Sequence, residues 1–182
     1  MSQTERDQVI IRQRLADNSV AAISPEDVRD AIASLMGYGC VILSADGAPV
    51  TMSSVGTGFE LVTVFDLVHA QSIDVNLAGV EAALSPTYDL TIGATGIYKT
   101  TFWASFASDG TPTAITFRPH INNSPGTVEV VRSVSSNSIG VVSFEEISLL
   151  TVGDLLDMRV KIDTGTADLD FYAAGCLIHR IG

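Results

Sequence analysis

Three histidines, two cysteines and a few clustered carboxylates are the side chains of this chain best suited to chemistry. His69, His120 and His179 stand far apart, each within or at the end of an apolar, β-type run. A catalytic imidazole needs a nucleophile on one side and an orienting carboxylate on the other. No G-x-S-x-G nucleophile turn occurs. The histidines are therefore expected on the surface or at a subunit interface, where three near a common axis would make a metal- or proton-sensitive site. Cys40 and Cys176 sit among apolar neighbours without C-x-x-C or zinc-ligand spacing. Buried free thiols are the expectation, since an unoxidised cysteine packs as a small hydrophobe.

Asp163, Asp168 and Asp170 place three carboxylates close together. A calcium ion takes about six or more oxygen ligands, and this stretch has neither EF-hand spacing nor a distant glutamate implied by it. It reads as a polar turn between the last two strands. Glu145 and Glu146 are adjacent, so a strand points them to opposite sides and they cannot work as a carboxylate pair on one face. Gly56-Thr57-Gly58 lacks the third glycine and the following helix of a dinucleotide loop. No catalytic group, metal or cofactor is expected, and no enzymatic turnover.

The composition says what else the residues do. Across 182 residues, 46% are hydrophobic and 17% charged, which is too apolar for a disordered chain. A formal net charge of −11 leaves no basic surface to displace counterions from a nucleic acid. No apolar run approaches the roughly 20 residues that span a bilayer, so no membrane partner is expected. Apolar residues beyond the needs of one core are expected at subunit contacts. Met1 to Asp7 is polar and lacks the apolar stretch of a secretory signal, which points to synthesis in a cytoplasm.

Positioning falls to two kinds of element. Ser24–Met36 reads as a helix: Ser24 caps it, Pro25 occupies its first turn, and Gly37 ends it. Val28, Ala31, Ile32, Leu35 and Met36 form its apolar stripe. Residues 8–16 are either a short helix or an extended arm. Residues 37–58 read as a Gly/Ser-rich connector, in which Val41-Ile42-Leu43 can add a short strand. From Phe59 onward, β-branched runs alternate with turn residues. Strands are predicted at Leu61–Val68, Ile73–Leu77, Tyr88–Ile92, Ile97–Ala107, Ala114–Ile121, Val128–Val134, Ile139–Leu149, Leu156–Ile162 and Asp170–Ile181. That density of strands makes an all-β sandwich, most simply a jelly roll. In Leu156–Ile162 the even positions are apolar and the odd ones charged, so one face meets the core and the other water. In Thr100–Phe106, Phe102, Ala104 and Phe106 share one face while Trp103 takes the other, so both faces should be covered.

Three motifs in order carry a resemblance. Gly96-Ile97-Tyr98 opens the run containing Phe102, Trp103 and Phe106; Leu150-Thr151-Val152-Gly153-Asp154 precedes an alternating segment; Phe171 to Ile178 lies close to the end. Residues 60–182 thereby resemble the C1q/TNF-like jelly roll, with its G-x-Y strand, its G-D turn and its final F-x-G-x-L-like strand. The resemblance implies a jelly-roll β-sandwich over residues 59–182, working as a homotrimer whose second sheet face packs along the threefold axis. Tyr98, Phe102, Trp103 and Tyr172 are the interface residues it suggests.

Ile23, Ser24, Asp27, Val28, Arg29 and Asp30 resemble a short N-terminal segment found on head-surface and fibre proteins of tailed bacteriophages. This implies a virion structural protein at the virion surface: a trimeric capsid decoration (cement or head-fibre) protein. Residues 1–36 would be its attachment segment and the major capsid protein its partner. Val9, Ile10, Ile11, Leu15, Val28, Ile32 and Leu35 would make the attachment. The alternative is a tail-tip or tail-fibre protein that holds baseplate or fibre proteins and recognises a host receptor, glycan or protein. A non-viral C1q-like binding module ranks third, lacking a secretion signal and a collagen-like stalk.

Overall fold

Alternation builds the sandwich. Tyr98, Thr100, Phe102, Ala104 and Phe106 are buried, while Ile97, Lys99, Thr101, Trp103 and Ser105 point the other way. Leu156, Met158, Val160 and Ile162 repeat the pattern further along. Side chains of period two on extended backbone give each strand one core face. The computed structural model of the chain describes residues 38–44, 48–70, 80–82, 87–110, 113–136 and 138–181. Among these the regular elements are all strands, and no helix is long and apolar enough to cross a membrane.

In chain order the strands are β1 (Tyr38–Leu43), β2 (Val50–Val55), β3 (Glu60–Leu61), β4 (Leu67–Ala70), β5 (Val80–Ala82), β6 (Leu90–Ile92), β7 (Gly96–Ser108), β8 (Thr113–Ile121), β9 (Ser124–Pro125), β10 (Val130–Val134), β11 (Gly140–Leu150), β12 (Leu155–Ile162) and β13 (Ala167–Arg180). They form two antiparallel sheets. Sheet I runs β11-β7-β13-β1-β4, with β2 also paired to β13. Sheet II runs β10-β8-β12-β6-β5, with β3 on β12 and β9 on β8. Neighbours in space are distant in sequence, and both chain ends of the domain meet in sheet I, where Tyr38 lies opposite His179. This is a jelly-roll β-sandwich.

The inward faces meet in an aromatic cluster. Phe117 of sheet II packs 5.4 Å from Phe102 and 5.1 Å from Phe106, and Phe106 lies 5.9 Å from Phe171. Each fully buried ring of this size stabilises the fold by roughly 2–3 kcal/mol. The last strand needs a correction of register to reach this core. Ala167, Leu169 and Phe171 face inward at odd positions, whereas Ala174, Cys176 and Ile178 do so at even ones. A bulge between Phe171 and Ala173 inserts one residue, Tyr172, and so flips the parity.

Three sequence expectations need correction. Residues 37–58 are not a connector, because β1 and β2 are both strands of sheet I paired to β13. The β2 signal was hidden by its geometry: Met52 and Val55, three apart, are the buried pair. Ser54 between them takes a φ of 58°, which breaks the alternation. The predicted strand Leu61–Val68 is two pieces in different sheets. β3 pairs with β12 and β4 with β1, while Val62, Val64 and Phe65 stay buried in the crossing between the sheets. The charged side of Leu156–Ile162 is not simply wet, since Asp157 keeps only 12% of its side chain exposed. The other predicted strands that fall on described residues lie close to their spans, as with Gly96–Ser108 for Ile97–Ala107, while β5 and β9 were not predicted. Strand Ile73–Leu77, helix Ser24–Met36 and the attachment residues Val9, Ile10, Ile11, Leu15, Val28, Ile32 and Leu35 lie outside the described residues.

Candidate interaction surface

The outward face of sheet I is read row by row from its register. Val141 stands beside Ser105 and Ala173; Ser143 beside Trp103, Gly175 and Ile42. Glu145 stands beside Thr101, Leu177 and Cys40; Ile147 beside Lys99 and His179; Leu149 beside Ile97. Leu67 extends the face on the far side of Ile42. Of these, Leu149 is 72% exposed, Ile147 65% and Val141 63%. Removing each such side chain from water is worth roughly 1.5–3 kcal/mol, and contiguous exposed apolar patches mark interaction sites. Polar groups interrupt it, Ser143 and Glu145 standing between Val141 and Ile147 on β11. Lys99 Nζ pairs with Glu145 Oε1 at 2.6 Å, and exposed pairs of this kind contribute about 0–1 kcal/mol.

Trp103 is seated by its neighbour. A Cβ added to Gly175 would lie 2.1 Å from Trp103 Cζ2, so the indole lies flat over the strand where β13 has no side chain. An aromatic ring covering a cross-strand glycine stabilises a sheet at the point where glycine weakens it. Trp103 remains half-exposed, with its outer surface available.

The four expected interface residues therefore divide. Trp103 and Tyr172 lie at the surface. Tyr98 and Phe102 do not: both are wholly buried in the subunit core, and the Tyr98 hydroxyl donates to the Ala94 carbonyl at 2.7 Å. They sit at even positions of β7, on the face that packs against sheet II, so they cannot reach a partner. Exposed apolar residues of this face that the sequence reading did not name are Ile97, Val141, Ile147 and Leu149. The signal was present in β11, whose odd positions carry Val141, Ile147 and Leu149 where water alone would favour polar residues.

The opposite outward face, on sheet II, has another character. Asp157 stands across from His120, and Arg159 across from Arg118. Arg159 holds Asp157 through Nε and Nη2, at 2.8 and 2.9 Å. Arg118 donates to the Gly126 carbonyl and pairs with Glu129 at 3.1 Å. His120 is buried against Phe59, with ring centroids 5.2 Å apart, rather than surface-borne as expected. Burial, then the charge of Arg159, holds its imidazole below the usual value. His179 lies in the other sheet and His69 in β4, so the topology does not gather the three histidines on one face.

The turns are closed by their own carboxylates. Gly153 takes a φ of 88°, and Asp154 beside it accepts from Thr151 N and Asn122 Nδ2, both at 2.7 Å. Burial raises the Asp154 carboxyl, but these hydrogen bonds outweigh it and hold the group below the ordinary range. Asp163 accepts from Ala114 N, Asp168 from Ser54 N, and Asp170 from Thr51 Oγ1. The three acids of that loop thus serve two strands, Asp163 bonding β8 and Asp168 and Asp170 both bonding β2. Among the described residues no group of three or more His, Cys, Asp or Glu side chains could hold a metal ion. Cys40 and Cys176 form no disulfide, and burial pushes the Cys176 thiol up to about 12.

No known family model matches the chain, and no curated protein does. Solved structures do. The Eiger TNF of S. frugiperda aligns over 81% of this chain and 93% of its own, with a TM-score of 0.58 and 11% identity. The globular domain of zebrafish complement 1qA aligns over 80% of this chain and 97% of its own, with a TM-score of 0.54 and 14% identity. At such identities the likeness is one of fold.

Proposed function

We propose that the chain is a homotrimeric structural protein whose C1q/TNF-like domain associates through the outward face of sheet I and is displayed at the surface of a larger particle. The observation that carries this reading is the apolar field of Ile97, Trp103, Val141, Ile147 and Leu149, bare in the single subunit. A closed cyclic assembly covers such a patch without growing into a fibre. The particle is read as a tailed-phage head, with the chain as a capsid decoration protein held by residues 1–36. This part rests on the resemblance of the Ile23–Asp30 segment. Binding of that kind stabilises the assembled shell, since it engages the native lattice and not its separated parts.

Two experiments test the two halves. Sedimentation of the isolated protein at micromolar concentration should give three times the subunit mass, and a stable monomer overturns the self-association. Electron microscopy of intact particles should place the chain on the head in many copies. A few copies at the tail tip would replace decoration by receptor binding, and absence from any particle would overturn the virion reading. Deleting residues 1–36 should leave the domain folded and trimeric but unable to attach.

A further inference from the structure

Three ionisable side chains cross the outside of sheet II in one row: His120 on β8, Asp157 opposite it on β12, and Asp89. Leu90 pairs with Leu156, so Asp89, one residue earlier, reaches the level of Asp157. This is the outward side of the sheet, yet His120 is 4% exposed and Asp89 8%. Other side chains cover His120 and hold Asp157. The Phe59 ring meets His120 edge-on, and Lys161 Nζ sits 4.6 Å over the centre of that ring. The Arg159 guanidinium spans both oxygens of Asp157 and also donates to Asn123 Oδ1. Asn122 and Asn123 form the two-residue turn between β8 and β9, with φ of 51° and 64°. One arginine thus ties the turn to the sheet, and one aspartate holds that arginine.

His120 Nδ1 is buried without a hydrogen-bond partner. Leaving a buried polar nitrogen unpaired costs stability, so such a group is kept for a reason or in wait of a proton. The charged groups facing it among the described residues are Asp157, Arg159 and Lys161 from β12, Arg118 from its own strand with Glu129 behind it, and Asp89 ahead of β6. Pro125 of β9 lies across from it and offers no N–H. Asp157 is the nearest anion on that list by register, and its two oxygens are both taken by Arg159.

We propose that His120 is an acid-operated latch on the β8–β9 turn. A proton taken from solvent turns the imidazole into a second cation beside Asp157, and it competes with Arg159 for that carboxylate. Arg159 then loses its fixed geometry and releases Asn123, and Phe59 no longer sits against a neutral ring. Nothing but the proton is gained, and restoring neutral pH returns the original pairing.

The direction follows from linkage. The folded protein keeps His120 neutral where the unfolded chain would already be protonated near its ordinary value of about 6.5. Stability is therefore full at higher pH and falls as pH drops from that ordinary value through the lowered one. Asp89 acts with the opposite sign. Burial first, and the charge of Asp157 after it, raise its carboxyl against a hydrogen bond from Thr87. Its charged form is thus the costly one, and its protonation relieves the fold on the acid side. The Asp89 contribution is shared by wild type and a His120 variant, so it cancels in their difference.

The test is a pH titration by heteronuclear NMR of the full chain, following the imidazole signals and the backbone amides of Asn122, Asn123, Ser124 and Gly126. The expected result is that the turn amides shift with the same midpoint as the His120 ring, below the ordinary imidazole value. In His120→Asn the turn amides should stay still over that range. The proposal is overturned if His120 titrates while the turn amides do not move, or if the ring stays neutral until the protein unfolds. Identical turn shifts in His120→Asn overturn it as well. Where the variant does not fold, the wild-type titration decides alone, since coincident or separate midpoints give opposite answers.

Discussion

On the outside of sheet II, polar side chains are buried and bonded to one another; on the outside of sheet I, apolar side chains stand exposed in the lone subunit. Both faces belong to the same sandwich and share the same strand alternation. Arg159, Asp157, Arg118 and Glu129 complete one another within the chain, helped by Phe59 and the Asn122–Asn123 turn. Among the described residues nothing covers Leu149, Ile147 and Val141 in the same way. The contrast separates two uses of an outward face. A face that closes over itself can store a switch, whereas a face left apolar needs a partner. The partner surface of a β-sandwich is therefore found less by counting exposed apolar groups than by asking which sheet has already covered itself.

The sharpest way to break that division is at Phe102, which lies on β7 beside Trp103 but faces the core. Phe102→Ala should lower subunit stability by about 3–5 kcal/mol, the range for emptying a packed aromatic site. The loss should be the same at every protein concentration. Were Phe102 an interface residue, the loss would vanish in dilute, dissociated protein and grow as concentration rises, since association stabilises by mass action. Denaturant unfolding at two concentrations separates the cases.

That test also marks how far the sequence could be read. Jelly-roll class, the G-D turn and the spans of β7, β11 and β12 were legible, because each rests on unbroken alternation or on a glycine with a visible duty. Of the first two strands, only the Val41–Leu43 half of β1 was. β1 and β2 are short, and Ser54 in the left-handed region breaks the one pattern that would have exposed β2. Of the interaction face, Trp103 was legible as a bulky group on the second side of a strand. Tyr98 and Phe102 were misassigned because a resemblance names residues without saying which way they point. The burial of His120 had no local signal at all, since Phe59 is brought to it by a pairing of β3 with β12 distant in sequence.

Gly175 tests the seat of Trp103. Gly175→Val should cost about 1–3 kcal/mol, as overpacking does, because the new side chain must enter space the indole occupies. Tryptophan fluorescence should shift to the red as the ring is lifted into water. Unchanged emission with unchanged stability would show that the ring does not rest on β13.

Asp154 comes next. Asp154→Asn keeps the size but cannot match the two short bonds from Thr151 and Asn122, and should lose about 1–3 kcal/mol near neutral pH. The sign of its pH dependence is set by the lowered carboxyl. The stabilisation is present above the ordinary aspartate value and lost as pH falls through the lowered one. The wild type should therefore converge on the variant in strong acid. Parallel stability curves down to the acid limit would show that the Asp154 charge contributes nothing to the turn.

The smallest effect on the subunit, and the one that bears most on the two faces, comes from a matched pair of substitutions. Leu149→Lys on the outward side of β11 and Val131→Lys on β10 each replace an exposed apolar group, 72% and 56% exposed respectively. Neither opens a cavity, and surface changes of this kind stay within about 0.5 kcal/mol of wild type. Melting of dilute, dissociated protein should be the same for both. Their assembly should not be. Val131 pairs with Thr116 in sheet II, away from the proposed contact, and its variant should keep the mass of the wild type. Leu149→Lys places a charge within the apolar face beside Ile97, and a buried unpaired ammonium is unfavourable enough to abolish association. Sedimentation of the two variants side by side reads the difference directly. Equal masses for both would mean that the bare face of sheet I is not where the subunits meet.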